Sequence, residues 1–476
     1  MNINEVVLIR VDNIQPTKPN DPRHYPPPID LLYIKEGLQQ LKIKNKLIDC
    51  YIEPIEIENL SNSIGKEFNL AIIKGMSSSL NESIELGNML KNKNLITIAV
   101  GQFTAHKSHY SNEIWKSSFD ITILGEPEEI TPKLVQEIAK VGLNEVAKKY
   151  NLLAKNMVKF SVTEPNKLPQ ITYENIDLNK YPFPFPVRGS YIKKWGHIIS
   201  AWGCPHESKC KFCSPIVRKS IGNKIRSKDP KKIITEIKNL KSLGVEGICF
   251  EDDSFFGNKN HIKNLCLEMI NQNIKIPWIA SVRIDDIDEE ILNLASKTGA
   301  VLLKIGIESG SSEIAQAIGK SVKKIPWRQL VIKNSKLLKK YNIGVVGLFM
   351  IGLPNETEQN ILESIELAKL TKPDYIQVQI FTMYPDTIYF QSLNDDERKR
   401  FKTQENIYHY GLSNNDVHSH SFKKILSFQN YFYKKYYLNY TFIVHHVRYM
   451  WRWYLNYNMT KRVFNIILFK LIKSND

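Results

Sequence analysis

Across residues 1–140 short apolar runs alternate with amphipathic stretches. VVLIRV, KLIDC, LAIIKG, LITIAVGQ and ITILGE read as strands, while IDLLYIKEGLQQL and ITPKLVQEIAK carry helical spacing. Brief Val, Ile and Leu runs separated by helices predict a parallel, doubly wound, Rossmann-like sheet. Ligands of such sheets sit beyond the carboxyl ends of the strands, so residues 75–79, 101–104 and 125–129 would share one rim. Ordinary turn chemistry accounts for the same stretches equally well.

A polar, Pro-containing stretch follows and ends in YPFPFP, which reads as a linker. The alternation then resumes. HIISAW, GICF, WIASV, LLKIGI, GVVGLFM and YIQVQIF are strand candidates, each coupled to a helix-like segment, and Asp229 before Pro230 marks a helix start. About six strand and helix units predict an incomplete parallel barrel with its chemistry at the strand carboxyl ends. The expected class is therefore α/β: a Rossmann-like domain over 1–145, a linker over 146–192, a partial (β/α)6 barrel of TIM type over 193–392, and a helical segment over 393–476.

Charge changes the picture only at the end of the chain. The whole protein has 65 Lys and Arg against 49 Asp and Glu, a net charge of +16, which favours anionic partners without choosing among them. Over 421–476, basic residues interleave with aromatics in FQNYFYKKYYLNY and HHVRYMWRWYLNY. This segment suits a packed helix with a solvated face or a peripheral membrane surface, and nucleic acid less well. No run of 18 apolar residues suggests a membrane span. MNINEVVLIRV lacks a secretory pattern, so a cytoplasmic setting is expected, where clustered cysteines read as metal ligands rather than disulfides.

Three of the six cysteines, Cys204, Cys210 and Cys213, fall within GCPHESKCKFCSP, directly after a predicted strand. Three soft thiolates so close together converge on one metal centre. A zinc site would recruit a fourth local ligand, for which only His206 is at hand, whereas a cubane iron–sulfur cluster normally takes four thiolates. With three, one iron keeps an open position. Cys50, Cys249 and Cys266 are scattered among strand and helix patterns and read as core thiols.

The cysteine loop resembles that of the radical S-adenosylmethionine (SAM) superfamily. The usual CxxxCxxC is here widened to a five-residue first gap, and CKFC keeps the aromatic Phe212 before the last cysteine. FEDDSFFGN, SVRID, KIGIESGS, GLFMIGLPNETEQN and MYPDTIYF follow in an order similar to the subgroup with an N-terminal cobalamin-binding domain, with Asp386 at a usual Gly. HYPPPIDLLYIKEGLQQL and LGEPEEITPKLVQEI resemble that subgroup's N-terminal segments, with Asp30 and Pro127 at usual glycines. The resemblance implies a [4Fe-4S] cluster on the three cysteines, with SAM chelating the open iron and cleaved to a 5'-deoxyadenosyl radical. It further implies SAM contacts from Phe212, Glu251, Asp252, Ser281, Arg283 and Glu308, and a cobalamin rim of Gly75, Ser77, Gly101, Gln102 and Glu126. The DxHxxG motif is absent, so no protein histidine would ligate cobalt.

These implications lead to a cobalamin-dependent methylation of an unactivated carbon, with a rearrangement, cyclisation or oxidation as the second reading and a non-catalytic metal-binding module as the third. The substrate would be a small molecule, lipid or peptide. The electron would come from an external donor such as flavodoxin or ferredoxin.

Overall fold

The computed structural model describes residues 3, 5–11, 26–109, 112–152, 156–174, 176–181, 183, 187–188, 192–206, 210–213, 224–320, 325–383, 387–396, 420–440, 442–444 and 447–448. Asp386, Glu207 to Lys209 in the cysteine loop, and most of HHVRYMWRWYLNY lie outside them. The chain divides into two compact units, one comprising 1–18, 27–176 and 214–226, the other 19–26, 177–213 and 227–476.

In the first unit, strands β1 (Glu5–Arg10), β2 (Lys44–Asp49), β3 (Leu70–Lys74), β4 (Ile96–Val100), β5 (Ile121–Gly125) and β6 (Val158–Phe160) form one parallel sheet in the order β2-β1-β3-β4-β5-β6. Alternate residues of each strand feed opposite faces. Val6 and Leu8 pack with Leu31, Ile34, Leu134, Ile138 and Val146 from α1 (Ile29–Gln40), α5 (Ile130–Val141) and α6 (Leu143–Lys149). Val7 and Ile9 pack with Leu60, Leu86, Leu90 and Trp115 from α2 (Ile57–Ser63), α3 (Leu80–Asn92) and α4 (Asn112–Ser118). Burial on both faces explains why these strands read as continuous apolar runs. The order reverses between β1 and β3, which is the switch point where sheets of this kind open a crevice.

Strand β6 falls in the stretch read as linker. Ile123 pairs with Val158, the Asn156 amide donates to Phe119 O at 2.9 Å, and Thr172 donates to Glu36 at 2.8 Å. Residues 146–176 therefore belong to the first unit, held there by buried Val158, Val162, Ile171 and Tyr173.

In the second unit, β7 (Trp195–Ile198), β8 (Gly247–Phe250), β9 (Trp278–Arg283), β10 (Ala300–Glu308), β11 (Gly344–Ile351) and β12 (Tyr375–Ile380) lie side by side in chain order, all parallel. Helices α7 (Pro230–Ser242), α8 (Lys259–Asn271), α9 (Glu289–Thr298), α10 (Ser312–Ala317), α11 (Trp327–Lys340) and α12 (Glu358–Thr371) fall between them. The predicted partial (β/α)6 barrel is therefore present. Asp229 caps α7 as expected, accepting from Lys231 N.

The amino-terminal end of the half-barrel is filled. Phe183, Val187 and Ile192, also from the predicted linker, pack with Trp195, Cys249, Ile279, Leu302, Val346 and Tyr375. Arg188 donates to Asp374 at 2.8 Å, and Asp374 accepts from Val345 N at 2.7 Å, which pins this plug to the starts of β11 and β12.

The edge strand β12 is covered by α14 (Phe422–Tyr437), which follows the short α13 (Ile388–Ser392). Val378 N–H donates to the Tyr433 hydroxyl (2.9 Å), which donates back to Val378 O (3.2 Å). Tyr437 makes the same pair with Ile376 (3.0 and 3.1 Å), and Gln429 donates to Val378 O at 2.8 Å. The aromatic stripe thus serves as a packed helix that satisfies an open sheet edge. Among the described residues no helix is long and apolar enough to cross a membrane.

Candidate functional site at the strand carboxyl ends

The cysteine loop leaves the end of β7 and is held at its root. The Asp252 carboxylate accepts from Ser200 N (2.7 Å) and the Ser200 hydroxyl (2.5 Å), while Lys228 N donates to Ser200 O (2.9 Å). Further along, His206 Nε2 lies 3.0 Å from Asp286. Lys211 N donates to Ile318 O (3.1 Å), and Cys213 N to Cys210 O (3.3 Å). Cys204 and Cys210 are buried, Cys213 is half-buried and none forms a disulfide. Phe212 packs against Ile314, Ile318, Met350 and Phe381.

Among the described residues, one group of three His, Cys, Asp or Glu side chains has its ligand atoms all within 4.8 Å: His197, Cys249 and Glu251. The three loop thiols are not gathered that closely: at least one pair of their sulfurs lies more than 4.8 Å apart. The Arg283 guanidinium points at this group. It forks onto Asp285 (2.9 and 2.8 Å) and places Nη1 2.8 Å from Cys210 Sγ, a cation beside sulfur that must carry negative charge as a ligand.

The remaining predicted residues divide by strand parity. Glu251 shares the inner face with Cys249 and receives His197 Nδ1 at 2.8 Å. Asp252, one residue on, turns its carboxylate to Ser200 and anchors the root of the loop. Burial pushes the Asp252 carboxyl up to about 7 against the pull of its Ser200 bonds. Ser281 lies on the inner face of β9. Glu308 ends β10 at a bulge with φ +64°.

Lys320, which carried no motif, links these parts. Its ammonium lies 3.0 Å from Glu308 Oε1 and 5.7 Å from the centre of the Phe212 ring, and its carbonyl accepts from Arg283 Nη2 at 3.3 Å. Only the fold could reveal this.

The loop after β11 carries a second buried acid. Glu356 accepts from Gly352 N (2.6 Å) and Leu353 N (3.2 Å) through one oxygen, while the other has no partner. Burial raises its pKa from 4.5 to about 7, opposed by those two N–H groups. Between these values the unfolded chain has released a proton that the native chain retains, so stability falls as pH rises through this window and is flat above it. Glu356→Gln keeps an acceptor and never ionises. Denaturant unfolding of the cluster-free chain should show the variant gaining about 3 kcal/mol over wild type between pH 4.5 and 7.5. An unchanged difference would overturn the assignment.

In the first unit, the rim residues are partly absorbed by the fold. At Gly101, φ is +96° and a Cβ would lie 2.7 Å from Gly75 O; at Gly125, φ is +125° and a Cβ would overlap the Phe160 carbonyl. Glu126 accepts from Val162 N (2.6 Å) and from both Nη atoms of Arg226 (2.5 and 2.8 Å), so its carboxylate is engaged internally. Ser77 is buried and Gln102 is exposed at the rim. Asp30, at a position where the resemblance has glycine, pairs with Lys74 at 2.5 Å beside the switch point.

Residues 198–368 match the family model described as the Radical SAM superfamily. Over these residues, and not over the whole chain, the sequence is that of a radical SAM domain. The chain is 25% identical over 373 residues to an uncharacterised methyltransferase of Pyrococcus horikoshii, covering 76% of this chain and 77% of that one. It is 28% identical over 200 residues to the anaerobic magnesium-protoporphyrin IX monomethyl ester cyclase of Cereibacter sphaeroides, covering 41% of this chain and 31% of the cyclase. Its fold is similar to that of the radical SAM methyltransferase TsrM of Kitasatospora setae, solved with cobalamin and a [4Fe-4S] cluster (TM-score 0.60, 13% identity, 82% of this chain and 74% of that one). The radical SAM match contains the anchored cysteine loop and the ends of β8 to β11.

Proposed function

We propose that this radical SAM enzyme is a cobalamin-dependent methylase acting on an unactivated carbon. The observation that carries the reading is the triad of loop thiols beneath Arg283, in a chain that also contains a doubly wound unit with a β1/β3 switch point. The methyltransferase relative and the TsrM fold support it. The donor set fits the cluster: three soft ligands leave one iron open, and a cation compensates their charge. The rim fits cobalamin less completely, because Glu126 is engaged by Arg226; Gln102 and the backbone of 75–79 and 101–104 are the groups left to line it.

When bound, the cluster and SAM would supply a 5'-deoxyadenosyl radical and cobalamin a transferable methyl group. The chain's part is positioning. Cys204, Cys210 and Cys213 hold the cluster. Asp252 and His206 hold the loop, and Arg283 balances its charge. Glu308, fixed by Lys320, presents its second carboxylate oxygen to ribose hydroxyls, while the inner face orients the substrate.

The similarity to a cyclase favours a second reading, in which the product has an unchanged carbon count. Anaerobic incubation of reconstituted protein with cobalamin, methyl-deuterated SAM and a cell extract decides between them. The expected result is deoxyadenosine together with a product heavier by one labelled methyl. An unlabelled product with deoxyadenosine would establish the second reading, and no SAM cleavage would remove both.

A further inference from the structure

Ser281 and Lys304 are paired across β9 and β10, and Lys304 is paired with Val346 on β11. Alternation places Glu251 on the same inner rung. The rung below, His197, Cys249, Ile279 and Leu302, rests on the apolar plug, so Lys304 stands at the floor of the half-barrel. On the rung above, Arg283 and Gly306 are followed by Leu348 and Gln377.

The charged groups around this floor are accounted for, with one exception. Glu251 is bonded to His197, and Arg283 to Asp285 and Cys210. Lys304 makes no hydrogen bond or ion pair among the described residues, and neither does Ser281 or Gln377. All three are half-buried. An ammonium on a rigid strand above an apolar floor has lost part of its hydration with no ion-pair partner among the described residues in return. Ser281 offers a hydroxyl on the same rung, and Gln377 an amide on the rung above.

We propose that this rung and the one above it form an oxyanion subsite for the substrate, in which Lys304, with Ser281 beside it and Gln377 one rung nearer the mouth as donors, binds a carboxylate or phosphate group. The proposal rests on the reading that the half-barrel houses a substrate, and it narrows that substrate to an anionic molecule. Lysine supplies a point charge suited to either group, and the neutral donors add directionality.

Limited acetylation of the reconstituted full chain, followed by peptide mass spectrometry, tests it with inorganic phosphate and succinate as probes at matched ionic strength. Lys241, exposed on α7, is the internal reference. One of the two anions should slow Lys304 acetylation at least about threefold relative to Lys241, the protection expected once the anion exceeds twice its dissociation constant. Protection by phosphate assigns a phosphate, and protection by succinate a carboxylate. Protection by neither overturns the proposal. So does protection by SAM alone, or a tenfold loss of SAM affinity in Lys304→Met, since Lys304 would then serve the cofactor. Deoxyadenosine measured in the same samples reports separately on the enzymatic reading.

Discussion

Cys204→Ala should yield a chain that folds but holds no cluster, with deoxyadenosine formation falling to background, a loss of at least about a thousandfold. Cys204 is buried in the loop that Asp252 and His206 fix from two sides, so the local backbone survives the change. Two remaining thiolates are too few to hold a cubane whose protein ligands number three at the outset. Cys266→Ala is the control. Its thiol is packed in α8 near Thr298 and held neutral, with burial pushing it up to about 11, and its loss should leave iron content intact. Iron and sulfide analysis with chromatography of deoxyadenosine checks both. Full iron in Cys204→Ala would mean that the wide first gap excludes this residue from the ligand set.

The tyrosine ladder carries the second large effect. Removing a hydroxyl that serves both the N–H and C=O of one buried residue leaves two backbone groups unsatisfied, at about 1–3 kcal/mol each. Tyr437→Phe abandons Ile376 completely, whereas in Tyr433→Phe the Val378 carbonyl keeps Gln429. Chemical denaturation should therefore rank Tyr437→Phe as the more damaging, by about 1–2 kcal/mol. No loss in either variant would mean that the hydroxyls are dispensable and that ring burial alone holds the helix.

The strands were legible because burial on both faces leaves continuous apolar runs, and eleven of the twelve in the two six-stranded sheets were readable as apolar segments. β6 was not, since VKF is three residues long and its identity comes from pairing with β5 rather than from its own pattern. At the site, the cysteines stood out by chemistry and spacing. Asp252 was placed by motif, but not its anchoring of the loop root. Lys320 and the Arg226 clamp on Glu126 join residues far apart in the chain, beyond what any local pattern encodes. Asp30 looked like a departure until Lys74 supplied its counter-charge. The tail read as an aromatic stripe, but nothing local said that its hydroxyls would close a sheet edge.

The plug built from Phe183, Val187 and Ile192, locked by Arg188 and Asp374, makes the half-barrel a blind-ended chamber. The plug closes the amino-terminal end to a substrate. A molecule whose anionic end seats at Lys304 must enter that end first and must back out along the same path, so whatever lies nearer the mouth is the part left within reach of Arg283, Glu308 and the cysteine loop. Reach from the floor, rather than pocket width, would then select which carbon is modified.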